Sequence, residues 1–236
     1  MKKGFVAVIN NMVYPERPDV LRKGSDEDVT MLRQFFEIDL GFEYRPFLNK
    51  SSSDLMTTVR DLSEKDYSQY DSFFCVLSSH GSEKGIICVD EKPVAVGAIT
   101  SMFTVDKCKS LWNKPKVFII QACRGSTDDP GAVAEDSACF HPHAPFMHRL
   151  PVESDFLVAF SSPAGYTSFR HEDQGSWFIQ RLVEVFKGYY EKEHLLDLLL
   201  RVNYKIARLD STGNLKQMPS YECRLTKKCY FQKVSR

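Results

Sequence analysis

Short, almost wholly apolar runs recur along this chain at residues 5–10, 72–78, 116–121 and 155–160, residues 42–48 read as a further strand, and stretches with helical spacing separate several of them. An apolar run of this length without polar alternation suits a strand covered on both faces. Such strands alternating with helices predict an α/β fold built on a doubly wound, mainly parallel sheet. The helical stretches carry their own punctuation. Ser25 is placed to cap the first, with Asp26, Glu27 and Asp28 in the turn where the helix dipole favours acids. Val29, Leu32, Phe36 and Leu40 follow at helical spacing, and Gly41 ends the run. Ser51 to Asp54 cap a second helix with Leu55, Val59 and Leu62 on one face. Residues 86–89 and 93–96 read as a small hairpin, 176–186 and 193–209 as further helices, and 227–231 as a last strand.

At 236 residues the chain is long enough to bury a sizeable core as one large domain or two small ones. Its 31 basic and 31 acidic residues cancel, which removes any global electrostatic reason to bind nucleic acid or an anionic membrane. No window approaches the roughly 18 apolar residues of a membrane helix. The apolar stretch behind Lys2 and Lys3 is too short for a secretory leader. Seven cysteines, an odd number with no C-x-x-C pair, argue against a disulfide framework and for a reducing, cytoplasmic setting.

Periodicity fails at 126–150, a stretch of Asp, Pro, Gly, Ala and His. It is longer than the ~12–15 residues of an ordinary loop, which marks it as functional or unstructured. Cys139, His141, His143 and His148 lie within it as possible zinc donors, without any signal for the groups that would orient them.

In doubly wound sheets the chemistry collects beyond the carboxyl ends of the strands. Ser79-His80-Gly81 follows the third run, and Ala122-Cys123-Arg124-Gly125 follows the fourth. A thiol needs a base or a positive field to ionise near neutral pH, and a histidine supplies either. The same imidazole can later protonate a leaving amine. Backbone amides of Gly81 and Cys123 are candidates to hold an oxyanion.

Four blocks sharpen this reading: V-L-S-S-H-G at 76–81, K-P-K-V-F-I-I-Q-A-C-R-G at 114–125, G-S-W-F-I-Q at 175–180 and K-Q-M-P at 216–219. Q-A-C-R-G is the caspase signature. The blocks stand in caspase order, and the chain resembles a caspase catalytic domain from Gly4 to about residue 233. The resemblance implies a six-stranded, mostly parallel sheet with helices on both faces. It implies Cys123 as nucleophile, His80 as acid and base, the Gly81 and Cys123 amides as oxyanion donors, and hydrolysis after aspartate through an acyl-enzyme. It implies no cofactor and no metal.

Arg22, Gln121 and Arg170 match the residues with which caspases hold the substrate aspartate. Guanidinium forks fit a carboxylate and stay charged when buried. Ser168 would lie along the substrate backbone, with Thr167 and Phe169 beside it where executioner caspases carry other aromatics, and Trp177 lining the fourth pocket. His171 stands where executioners often have Asn, and the short 208–217 segment is closer to initiators and the nematode death caspase. By resemblance, residues 1–136 are a large-subunit region and 137–236 a small-subunit region, cut after Asp136 with Asp128 and Asp129 as alternatives. The resemblance implies protein substrates, inhibitor or activator proteins, a zymogen that processes itself, and a homodimer paired through about 222–231, with Cys223 and Cys229 near its axis. No recruitment domain is expected ahead of Gly4. The competing expectations are a catalytically silent caspase-like decoy or regulatory binding module, and a zinc-dependent interaction protein.

Overall fold

The computed structural model describes residues 1–127, 151–211 and 215–233. The expected cut at Asp136, its alternatives Asp128 and Asp129, and the Cys139 to His148 cluster lie outside the described residues.

Six strands form the central sheet: β1 (Gly4–Asn10), β2 (Glu43–Leu48), β3 (Ser72–Ser78), β7 (Lys116–Gln121), β8 (Phe156–Phe160) and β11 (Ser220–Cys223). Their spatial order is β11-β8-β7-β3-β1-β2. Every neighbouring pair is parallel except β11 with β8. β1, β3, β7 and β8 are buried at every position, as unbroken apolar runs require when both faces are covered. Three short strands, β4 (His80–Ser82), β5 (Gly85–Ile87) and β6 (Pro93–Val94), make a small antiparallel sheet beyond the end of β3. β9 (Arg170–His171) and β10 (Gly175–Ser176) form a separate two-stranded ribbon.

Helices α1 (Ser25–Arg33), α4 (Trp177–Tyr189) and α5 (Leu195–Ile206) cover one face; α2 (Ser52–Glu64) and α3 (Val96–Thr100) cover the other. The two apolar clusters therefore lie on opposite sides of the sheet. Val6, Val8, Phe74 and Val76 point into one, and Phe5, Ala7, Phe73 and Cys75 into the other, following the two-residue alternation of a strand.

Several local expectations need correction. Gly24, at φ +78°, occupies the cap of α1, so Ser25 is its first helical residue. The helix then widens into a π-turn at Gln34–Asp39, and Gly41, at φ +71°, releases the chain as expected. Ser51 does cap α2, accepting the Asp54 amide at 3.1 Å. The second arm of the hairpin stops at Val94 because Val96 already opens α3.

Residues 227–231 form no strand. Phe231 instead turns inward and meets Phe35, Phe36, Phe42, Phe74, Phe186 and Tyr190 within 6.5 Å of ring separation. Hydrophobic burial overrides the local strand preference there. The last strand is β11, an exposed sheet edge that carries Cys223, while Cys229 is buried in the core. Only Glu222 and Cys223 of the expected pairing segment lie on that edge.

Candidate active site

The parallel register places the end of β3 beside the end of β7, with Ser78 opposite Gln121. His80 and Cys123 each lie two residues past that pair, on adjacent strand ends. The Ser79 amide donates to the Gln121 carbonyl at 3.1 Å and carries the pairing one residue further. A Cβ built on Gly81 would fall 2.2 Å from the Cys123 carbonyl oxygen and 2.8 Å from Ala122 Cβ, so the two backbones touch. The sequence expected His80 in a loop. It is the first residue of β4, and its half-buried ring is fixed by a strand backbone.

His80 Nε2 lies 2.7 Å from the Val20 carbonyl. A carbonyl only accepts, so Nε2 carries the proton and Nδ1 keeps its lone pair. Burial pushes the imidazole below its ordinary range, the Val20 carbonyl partly opposes this, and Arg22 and Arg170 reinforce it. A neutral imidazole with a free Nδ1 is the form that can take a proton. Cys123 is half-buried, with Sγ 3.9 Å from the Ser168 carbonyl.

Arg22 is 1% exposed, among the largest buried side chains of the chain. Its guanidinium donates to the Asn10 side chain (3.3 Å), the Asn11 carbonyl (2.8 Å) and the Ser78 hydroxyl (3.1 Å). All three acceptors are neutral and lie at the ends of β1 and β3. Burial first, and then the neighbouring Arg170, bring its pKa down to about 10. Arg170 leaves β9 toward the same place and donates Nε to the Lys23 carbonyl at 2.8 Å. Among the described residues neither arginine makes an ion pair.

Gln121 Nε2 donates to Ser168 Oγ at 2.7 Å, and its buried Oε1 has no partner. The segment that carries Ser168 and Arg170 is thus held against Gln121 and the thiol. Thr167 donates its amide to the Thr127 carbonyl at 3.0 Å. The Phe169 ring packs 5.1 Å from that of Trp177, at the start of α4. The expected site residues within the described part of the chain therefore lie at the ends of β3 and β7, on the 167–177 segment, and, for Arg22, on the connection between β1 and α1.

Three supports were not singled out from the sequence. Asp28 is fully buried, accepts the Ser176 amide at 2.8 Å, and opposes the positive charge of both arginines. Burial pushes its carboxyl up to about 6. Its place in an acidic first helical turn looked sufficient explanation on its own. Gln217 accepts the Phe169 amide and donates to the Ser161 carbonyl, which ties the 167–177 segment to the end of β8. Its signal was the 216–219 block. Tyr14, with its hydroxyl against the His80 amide, had no signal.

A cavity of about 760 Å³ opens on the other side of Cys123, lined by Ile86, Val96, Ile120, Arg124, Phe160 and Glu222 among others. Its lining does not include Arg22, Gln121 or Arg170. No metal-binding group of His, Cys, Asp and Glu occurs among the described residues, and no described helix is long and apolar enough to cross a membrane.

Residues 3–230 match the family model described as Caspase domain. Caspase-3 of Xenopus laevis is 38% identical over 98% of this chain and 80% of its own length. Caspase-7 of Gallus gallus is 35% identical over 98% of this chain and 77% of its own length. Caspase-3 of Mus musculus is 39% identical over 97% of this chain and 83% of its own length. The six-stranded sheet, the paired strand ends and these matches extend over nearly the same residues, and the chain belongs to the caspase family.

Proposed function

We propose that this protein is an active cysteine endopeptidase that cleaves after aspartate. The observation that carries the proposal is the pair Arg22 and Arg170: two half-buried or buried guanidiniums that converge without an ion pair. Two cations held together in a low-dielectric pocket repel, and a substrate carboxylate relieves that repulsion as it binds. An asparagine isostere would leave both unpaired and be rejected strongly. The Gln121 amide completes the pocket through its Nε2 donor, which rests on Ser168 Oγ and is the end of the side chain able to donate to a carboxylate.

In this reading His80 Nδ1 takes the proton from Cys123, and the thiolate attacks the carbonyl carbon of the bound aspartate. The amides of Gly81 and Cys123 hold the oxyanion. The imidazolium then protonates the leaving amine, and water, activated by the same imidazole, hydrolyses the thioester. Thr167, Ser168 and Phe169 run along the substrate, and Trp177 borders its more distant side chains. The Trp177–Phe169 ring contact supports this placement.

The family resemblance extends the reading to a cytoplasmic role in apoptosis, with protein substrates and a self-processed zymogen. A cut after Asp136 would leave regions 1–136 and 137–236. An exposed β11 edge supports a homodimer formed by strand pairing, moved from the expected 222–231 to Ser220–Cys223.

The test is hydrolysis of fluorogenic tetrapeptides ending in Asp, Asn, Glu or Arg, with Cys123→Ala as control. Cleavage after Asp alone, lost in the variant, is the expected result. Silence toward all four, before and after a cut at Asp136, would favour a catalytically silent decoy. Cleavage after Arg would show that the pocket has been misassigned.

A further inference from the structure

Tyr14 is fully buried, lies on no strand or helix, and sends its hydroxyl to the start of β4. That oxygen accepts the His80 amide at 3.1 Å. It also lies 2.8 Å from Ser79 Oγ and 3.2 Å from the Ile87 carbonyl. Ser79 Oγ reaches the same carbonyl at 2.5 Å. Two hydroxyl protons serve these contacts, directed to Ser79 or Ile87, and in either arrangement a lone pair of the Tyr14 oxygen is left for the His80 N–H. The phenol ring also packs on the imidazole, with centroids 5.0 Å apart and planes tilted by 53°.

One loop therefore grips His80 twice. Val20 holds Nε2 of the ring, and Tyr14 holds the amide and one side of the ring. The same loop ends at Arg22. The peptide unit after His80 carries the Gly81 amide, whose backbone lies against Cys123. A shift of the His80 backbone would displace both the base and an oxyanion donor, and small displacements of this kind are expensive in a reacting site.

We propose that Tyr14 is a positioning residue for the reaction, acting through its hydroxyl on His80 and Gly81. The proposal rests on the Cys123–His80 reading above. Tyr14→Phe keeps the ring and removes only the hydroxyl. It should lower kcat about tenfold, the effect of one lost hydrogen bond in a buried site, and leave KM for an Asp substrate within about twofold. A peptide aldehyde ending in Asp, whose tetrahedral adduct needs the oxyanion donors, should bind weaker by about the same factor. A purely structural role would lower the melting temperature and move neither quantity in the folded enzyme. Unchanged kcat in folded Tyr14→Phe overturns the proposal, as does a raised KM with kcat retained.

Hydrogen exchange of the His80 amide in the unaltered protein is a second reading that needs no variant. Slow exchange agrees with the contact, and exchange at the rate of an exposed amide refutes it. Wild-type silence toward Asp substrates would sink the protease reading, while the exchange measurement would still read the Tyr14 contact.

Discussion

Gly81 lies so close to Cys123 that a single added carbon would sit 2.2 Å from the Cys123 carbonyl oxygen. No flexible side chain stands between them to give way; the obstacle is backbone. Gly81→Ala is therefore expected to push β4 away from the end of β7. Loss of an aligned oxyanion donor lowers kcat by about 10²-fold in acyl-transfer sites, and a loss of that order is expected here. Steady-state kinetics on an Asp substrate would check this, with circular dichroism confirming the fold. A Gly81→Ala enzyme of normal activity would remove this amide from the mechanism.

Arg22→Lys keeps the charge and discards the fork. A lysine ammonium cannot reach the Asn11 carbonyl, the Ser78 hydroxyl and an incoming carboxylate together. We expect kcat/KM for the Asp substrate to fall by about 10- to 100-fold, mostly through KM, with a smaller preference for Asp over Asn. Equal discrimination in the variant would show that Arg22 is not the selective group.

The pH profile follows from His80. Burial, opposed by the Val20 carbonyl and reinforced by Arg22 and Arg170, holds the folded imidazole below its ordinary 6.5. The base works when neutral, so activity is lost only as pH falls through that depressed value. The acid limb of kcat/KM is expected below pH 6.5, with full activity at 7. A limb centred above 7 would contradict this assignment.

Asp28 links stability to pH in the opposite sense from an ion-paired carboxylate. Its folded pKa is about 6, raised from 3.8 mainly by burial. Below pH 4 both folded and unfolded chains hold the proton, and the contribution is fully present. Between 4 and 6 only the folded chain holds it, so rising pH erodes the contribution and removes it above 6. Urea unfolding of wild type and Asp28→Asn at pH 4, 5.5 and 7 should show their difference moving against the wild type by up to roughly 3 kcal/mol. Asn still accepts the Ser176 amide. A pH-independent difference would mean that Asp28 is ionised throughout.

Phe231 tests the end of the chain. Its ring meets six other aromatic rings, and truncating a buried phenylalanine costs about 3–5 kcal/mol. Phe231→Ala should therefore lower the unfolding midpoint by far more than replacement of Tyr230 by Ala, a residue that is 39% exposed. Equal effects would show the tail to be loosely held.

Much of this was legible in the sequence because the signals were local. Apolar runs gave the buried strands, and the Ser51 cap placed α2. The strand ends pointed to His80 and Cys123. What stayed hidden depends on contacts between distant segments. Residues 227–231 look like a strand because Phe231 and Cys229 are apolar, yet the rings that meet Phe231 include those of the π-turn after α1, of β3 and of α4. Asp28 looked like a helix-dipole acid until burial placed it behind two arginines. Tyr14 reaches His80 across 66 positions of sequence, and no spacing rule spans that distance.

The Arg170 bond to the Lys23 carbonyl spans 147 positions. A contact of that separation closes a long loop, so the Arg22–Arg170 pair is assembled by tertiary folding and by no local element. Loosening either half of the sheet is therefore expected to move one guanidinium away from the other.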